Sequence, residues 1–131
     1  MQKGLLLCFA GLVAVIGLLL SPGARAQIGL RATGLPQQGG EAIFKGVCQG
    51  CHMPDARGAT GAGAYPALAR NSKLEVAGYP VSVIIHGQKA MPAFGEAFDD
   101  RQIADVTNYI RSHFGNDYKD AVTPQDVRSA R

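Results

Sequence analysis

Residues 47–55 read VCQGCHMPD, and within them Cys48-Gln49-Gly50-Cys51-His52 carries most of the distinctive chemistry of the chain. Two cysteines three positions apart, with a histidine directly after, suit three chemistries: a disulfide switch, half of a zinc site, or covalent attachment of a haem. Upstream, Ile43, Phe44, Val47, Cys48 and Cys51 fall at helical spacing, which predicts a helix over about 41–51. With His52 continuing that turn, positions 48, 51 and 52 stand at i, i+3 and i+4 and share one face. Two thiols on such a face meet neighbouring points on a flat ligand while the imidazole beside them reaches its centre. C-x-x-C-H provides that geometry for haem.

The compartment agrees. Lys3 is followed by an uncharged apolar run from Leu5 to Leu20, and Ala24-Arg25-Ala26 is a small-x-small cleavage site. Residues 1–26 therefore read as a secretory signal peptide cut after Ala26, the alternative being a leader retained as an anchor. The apolar run is shorter than the ~20 residues of a comfortable membrane span, so no stable anchor is expected after cleavage. Cys8 would leave with the leader and has no assigned role. The mature chain from Gln27 has the size of one small domain. The full chain carries 13 Lys and Arg against 10 Asp and Glu, a net charge of +3. Loss of Lys3 and Arg25 brings it close to neutral, which makes nucleic acid a poor partner. Lys45, Arg57, Arg70, Lys73 and Lys89 make residues 39–90 mildly basic and the part from residue 91 is mildly acidic, either to orient a charged partner or simply as solvated surface.

Residues 27–38 have no periodicity and form a loose lead to the domain at 39–131. Residues 53–78 hold six glycines and prolines with little apolar patterning, and so long a loop in a small domain has the natural task of wrapping something. Its GATGAG (58–63) lacks the lysine and preceding strand of a phosphate loop. YPVSVIIHGQ (79–88) predicts a helix opened by Pro80 and stopped by Gly87, although Val83, Ile84 and Ile85 also suit a short strand. A loop opened by Met91-Pro92 follows. The last long helix lies in 99–116, with Asp99 and Gln102 as a capping box, Ile103, Val106, Ile110 and Phe114 as its apolar stripe and Gly115-Asn116 as its stop. In the tail VTPQDVRSAR (122–131), Thr123 and Pro124 start a further short helix.

Against haem, the disulfide reading has in its favour that exported cysteines normally pair. A thioredoxin-like pair, however, belongs beside a βαβ unit, and no strand pattern precedes residue 48. Zinc would need further ligands from His52, His86 and His113, none at finger spacing. For a haem iron held by His52 the opposite position is open or takes a second ligand. Met53 adjoins His52 and cannot cross to the other face. Met91, on its Pro-stiffened loop, would saturate the iron and raise its potential, whereas His86 would saturate it and lower the potential. The third option leaves Met91 as core packing. His113 reads as a surface histidine near a helix end.

With Cys48-Gln49-Gly50-Cys51-His52, Met91-Pro92-Ala93-Phe94 and the last helix in place, the chain resembles a class I, mono-haem cytochrome c over about residues 39–114. Gly40 and Phe44 match the family's N-terminal helix, and Tyr109 its partner on the C-terminal helix. Tyr65-Pro66-Ala67-Leu68 resembles the proline segment whose carbonyl accepts a hydrogen bond from the axial histidine. YPALARN, the stretch from MPAFG to SHFGN and the closing VTPQDVRSAR look most like small cytochromes accompanying exported bacterial dehydrogenases, or the last haem domain of multihaem dehydrogenase subunits.

The resemblance implies an all-α fold, with N- and C-terminal helices crossing and one haem c wrapped by the long loop. It implies covalent attachment at Cys48 and Cys51, axial ligands His52 and Met91, and a pocket that includes Tyr65, Pro66, Leu68 and Phe94, kept dry also by Phe44, Ile84 and Tyr109. The expected protein is a monomeric periplasmic one-electron carrier rather than an enzyme. Its donor would be an exported dehydrogenase and its acceptor a terminal oxidase or another cytochrome. The alternative is a haem enzyme or a gas- or peroxide-binding protein with a displaceable sixth ligand.

Overall fold

In the computed structural model the described residues are 35–61 and 63–131. The leader, its cleavage site, Cys8 and most of the N-terminal lead lie outside them. A helical run opens the described domain: α1 (Gly40–Ile43), a π turn (Phe44–Cys48) and α2 (Gln49–His52). Two short antiparallel strands follow, β1 (Ala59–Thr60) and β2 (Ala64–Tyr65), then a 3-10 turn (Ser72–Leu74). Three helices complete the order: α3 (Gly78–His86), α4 (Asp100–Ser112) and α5 (Pro124–Ser129). Among the described residues no helix is long and apolar enough to cross a membrane.

The run 40–52 is one helix with a wide turn in its middle. A π turn takes one more residue than an α turn, so residues after Cys48 are rotated relative to those before Phe44. Ile43 and Phe44 are buried in the core, whereas Cys48, Cys51 and His52 line a cavity. Gly40 sets how closely this run meets α4. A Cβ there would lie 2.2 Å from the Asp105 carbonyl oxygen and 2.5 Å from Tyr109 Cβ. The Phe44 ring then packs against Tyr109 at 5.7 Å and Phe114 at 4.7 Å between centroids.

Within 79–88 the chain is helical as far as His86. The buried residues Pro80, Val81, Ile84 and Ile85 recur at helical spacing, Pro80 sits in the first turn, and Gly87 ends the helix at a φ of 73°. On α4 the capping box is made in full, with Gln102 N–H donating to Asp99 Oδ1 (2.8 Å) and Asp99 N–H to Gln102 Oε1 (3.0 Å). Gln102 Nε2 also donates to the carbonyls of Leu35 and Gln37, so the described end of the lead is fastened to the domain. The helix stops at Ser112, three residues before the expected Gly115-Asn116. Side chains take its last carbonyls: Asn116 Nδ2 donates to Ile110 O and Ser112 Oγ to Asn108 O. Phe114, expected on the helical stripe, instead has a φ of 59° and reaches Phe44 from outside the helix.

The tail is docked. Thr123 and Asp126 form a capping box on α5, Val127 is buried, and Asn108 exchanges two hydrogen bonds with the Val122 backbone. Arg111 is 1% exposed. It donates from Nε to Leu74 O, from Nη2 to Glu75 O and Asp120 Oδ1, and from Nη1 to Asp120 O. Every side of this buried cation is met, which is what makes its burial tolerable. The bond from Arg111 holds the Asp120 carboxyl below its ordinary value.

The tight approach at Gly40 generates a direct test. Gly40→Ala forces a methyl group against main chain, and overpacking of this kind costs about 2 kcal/mol. Urea unfolding should show a lower midpoint with an unchanged slope; an unaltered midpoint would mean that α1 and α4 are not held at this spacing.

Candidate functional site

A cavity of about 800 Å³ lies among the end of the first helical run, the loop after it, α3, the Met91 loop and one face of α4. Nine of the eleven residues expected at a haem site line it: Cys48, Cys51, His52, Tyr65, Pro66, Leu68, Ile84, Met91 and Phe94. They come from segments up to 46 positions apart, so it is the tertiary fold that brings them together. Val106 and Ile110 supply an apolar wall from α4. Phe44 and Tyr109, expected to help keep the pocket dry, are not among the lining residues. They pack instead on each other where the first helical run meets α4. His86 is exposed and off the cavity wall, and His113 is exposed with its ring stacked on Tyr109 at 4.1 Å.

His52 is 7% exposed, and its Nδ1 lies 2.9 Å from the Pro66 carbonyl oxygen. A carbonyl only accepts, so Nδ1 carries the proton and donates. The Nε2 lone pair is then free to bind a metal, and the imidazole is fixed in rotation. Cys48 and Cys51 are free thiols. Burial pushes the Cys48 thiol up to about 11, so it stays protonated near neutral pH. A redox-active cysteine needs the opposite, a stabilised thiolate. Among the described residues no group of three or more His, Cys, Asp and Glu side chains is placed to hold a metal ion, so the zinc alternative gains no ligand set.

Beyond the cavity itself, the sequence match is decisive. The family model described as cytochrome c oxidase, cbb3-type, subunit III matches residues 36–110. The chain belongs to this cytochrome c family. The cytochrome is 35% identical over 88 residues to a nicotinate dehydrogenase subunit of Pseudomonas putida, an overlap covering 60% of this chain and 7% of that protein. It is 31% identical over 112 residues to the gluconate 2-dehydrogenase cytochrome c subunit of Pantoea cypripedii, covering 72% of this chain and 24% of the relative. The fructose dehydrogenase cytochrome subunit of Gluconobacter japonicus is 33% identical over 92 residues, with 59% and 19% covered. The cytochrome thus spans less than a quarter of the length of each of these relatives.

Membership implies haem c, and the residues of the cytochrome fit that group. The cavity is of ligand size and mostly apolar. It presents two thiols beside a buried imidazole with the correct tautomer, and a thioether from a different segment. Three cations, Arg57, Lys73 and Lys89, also line it, with no carboxylate among the lining residues. Asp55 pairs with Arg57 at 3.7 Å.

Sequence reasoning missed the residues that hold the proline segment in place. Gly58 has a φ of 69°, and a Cβ on it would lie 2.1 Å from the Tyr65 carbonyl oxygen. Ala56 O accepts from both Leu68 N–H and Ala69 N–H. Asn116 Nδ2 donates to Leu68 O (2.8 Å), while its Oδ1 accepts from Asn71 N–H (2.9 Å). The dipeptide Gly115-Asn116 signalled only a helix end, and nothing local pointed to a partner 48 positions away. Asn116→Ala leaves three main-chain groups without this partner, and should destabilise the cytochrome by about 2–3 kcal/mol in urea unfolding. Asn116→Asp, which keeps an acceptor for Asn71 but sets a carboxylate oxygen against the Leu68 and Ile110 carbonyls, should destabilise at least as much.

Proposed function

We propose that this cytochrome is an exported, single-haem, one-electron carrier. Cys48 and Cys51 attach the haem, His52 and Met91 are the axial iron ligands, and Tyr65, Pro66, Leu68 and Phe94 belong to the pocket. The observation that carries the reading is the hydrogen bond of His52 to Pro66 in a cavity that Met91 also lines. Haem c supplies, when bound, an iron that alternates between ferric and ferrous states. The chain supplies the rest. Pro66 holds the imidazole proton on Nδ1, Gly87 lets the chain pass close to the Met91 carbonyl, and Pro92 stiffens the segment after Met91. Val106, Ile110, Leu68 and Phe94 exclude water from the cavity.

The leader pattern supports export to the periplasm, followed by cleavage after Ala26. Three relatives named as dehydrogenase cytochrome subunits, or as a dehydrogenase subunit, support a dehydrogenase as the electron donor. A terminal oxidase or a second cytochrome would accept the electron from the monomeric carrier. The basic lining at Arg57, Lys73 and Lys89, close to exposed Tyr65 and Tyr79, suits partners that present acidic faces.

The first test is the visible spectrum of protein exported in a host that attaches haem, followed by a denaturing gel stained for haem. Sharp c-type bands and haem retained on the gel are expected. Met91→Ala should abolish the weak methionine–iron band, and only then should the reduced protein bind carbon monoxide readily at neutral pH. Carbon monoxide binding by the unsubstituted protein would favour a haem enzyme or gas-binding protein. A colourless product would remove haem altogether.

Docking through the basic lining gives a second expectation. Electron transfer from the donor dehydrogenase should slow as ionic strength rises from about 0.01 to about 0.15 M, over which the screening length shrinks from roughly 30 to about 8 Å. Lys73→Gln combined with Lys89→Gln should flatten that dependence while leaving the spectrum unchanged.

A further inference from the structure

The loop that carries Met91 is fastened from two sides. On one side Phe94 N–H donates to Ile84 O (2.9 Å) and Gly95 N–H to Ile85 O (3.1 Å), both on the last turn of α3. On the other side lies Arg131. Its Nη1 donates to Gly95 O and its Nη2 to Phe98 O (2.9 Å), while its Nε donates to Asp100 Oδ1 (2.6 Å). Gly95 is held between the two fastenings: a Cβ there would lie 2.9 Å from Ile85 O and 3.4 Å from Arg131 Nη1. Phe94, which lines the cavity, is stacked on Phe98 at 5.3 Å. Arg131 itself is not among the cavity-lining residues.

Arg128 provides an internal comparison. Its Nε also donates to Asp100, at Oδ2 (3.2 Å), but it makes no hydrogen bond to the loop. The two arginines share one carboxylate and carry the same charge, and only Arg131 reaches the main-chain oxygens of the loop. Charge-assisted bonds of this kind are the strong class, and two donated from one planar guanidinium fix position as well as distance.

We infer that Arg131 is a positioning residue for Met91: its guanidinium fastens Gly95–Phe98 to the start of α4 and thereby keeps the thioether in the cavity. The inference rests on the reading of Met91 as an iron ligand. Arg131 acts as a strap. Opening of the loop releases the thioether, and the strap sets how often the loop opens.

The test uses the ferric, haem-loaded full chain with added imidazole, which competes with the thioether for the iron and reports the open fraction of the loop. Loss of the methionine–iron band is followed as imidazole is added. Arg131→Gln should bind imidazole about tenfold more tightly, the factor associated with loss of one charge-assisted hydrogen bond. Hydrogen exchange at the amides of Phe94, Gly95, Ala97 and Phe98 should quicken by about the same factor. Arg128→Gln, with the same loss of charge, should match the parent in both measurements, and Arg131→Lys should recover part of the effect. If Arg131→Gln does not fold, Arg131→Lys against Arg128→Gln carries the comparison, with only the former shifted.

Equal behaviour of Arg131→Gln and the parent overturns the strap. So does an equal shift in Arg131→Gln and Arg128→Gln, which would assign the effect to the Asp100 charge alone. A parent protein without a methionine–iron band overturns the ligand reading of Met91, and the strap falls with it. A parent with the band and variants without the shift removes the strap alone.

Discussion

The hydrogen bond from His52 Nδ1 to the Pro66 carbonyl joins a helix end to the far side of a glycine-rich loop, and much of the surrounding structure serves to keep those two groups 2.9 Å apart. The imidazole comes at the last residue of α2, where the helical run ends and Met53 turns away at a φ of 67°. The carbonyl is held by a wall with almost no regular structure. Gly58 lets the chain pass close to Tyr65, Ala56 receives two amide protons from the segment after Pro66, and Asn71 and Asn116 take the next carbonyls. Hydrogen bonds to main chain thus do here what packing does in a helix bundle. They fix one backbone oxygen, and that oxygen fixes a tautomer.

Packing is concentrated on the other side of α4. Ile43, Phe44, Ile103 and Val127 are buried there, between the first helical run, α4 and the docked tail. Val106 and Ile110 belong both to this core and to the cavity wall. A domain of this size buries a modest share of its surface, and here part of what a core would fill is cavity. An apolar occupant therefore completes the hydrophobic interior while it performs its chemistry, and the α4 wall couples the two.

How much of this was legible in the sequence varied with the range of the interactions involved. Asp99 and Gln102 announced the start of α4 because both halves of a capping box lie within one turn. Pro80 and Gly87 bounded α3 for the same reason. Cys48, Cys51 and His52 could be placed on one face from spacing alone, although the π turn just before them could not be foreseen from an apolar pattern that fits an ordinary helix. The stop of α4 was misplaced because Phe114 leaves the helix for a ring on the first helical run, a tertiary attraction that outweighs local continuation. Pro66 was reached only through family resemblance. The roles of Asn116, Arg111 and Arg131 carried no local signal, since most of their partners lie tens of positions away and are mostly backbone oxygens.

That choice of partner has its own consequence. Arg111 ends on the carbonyls of Leu74, Glu75 and Asp120, and Arg131 on those of Gly95 and Phe98. Neither a guanidinium nor a peptide oxygen changes charge over the pH range a protein meets. Acidification weakens only the carboxylates beside them, and Asp100 and Asp120, whose bonds from Arg131 and Arg111 hold them below the ordinary 3.8, keep their contribution above that value and lose it as pH falls through the lowered one. Because any amino acid supplies the same main-chain acceptor, the carbonyl half of each fastening is encoded only at the arginine. The side chains at Glu75 and Phe98 are then not what the contact requires, whereas Gly95 has no room for a Cβ and Asp100 and Asp120 serve through their own carboxylates; replacement of either arginine has no counterpart that restores the contact.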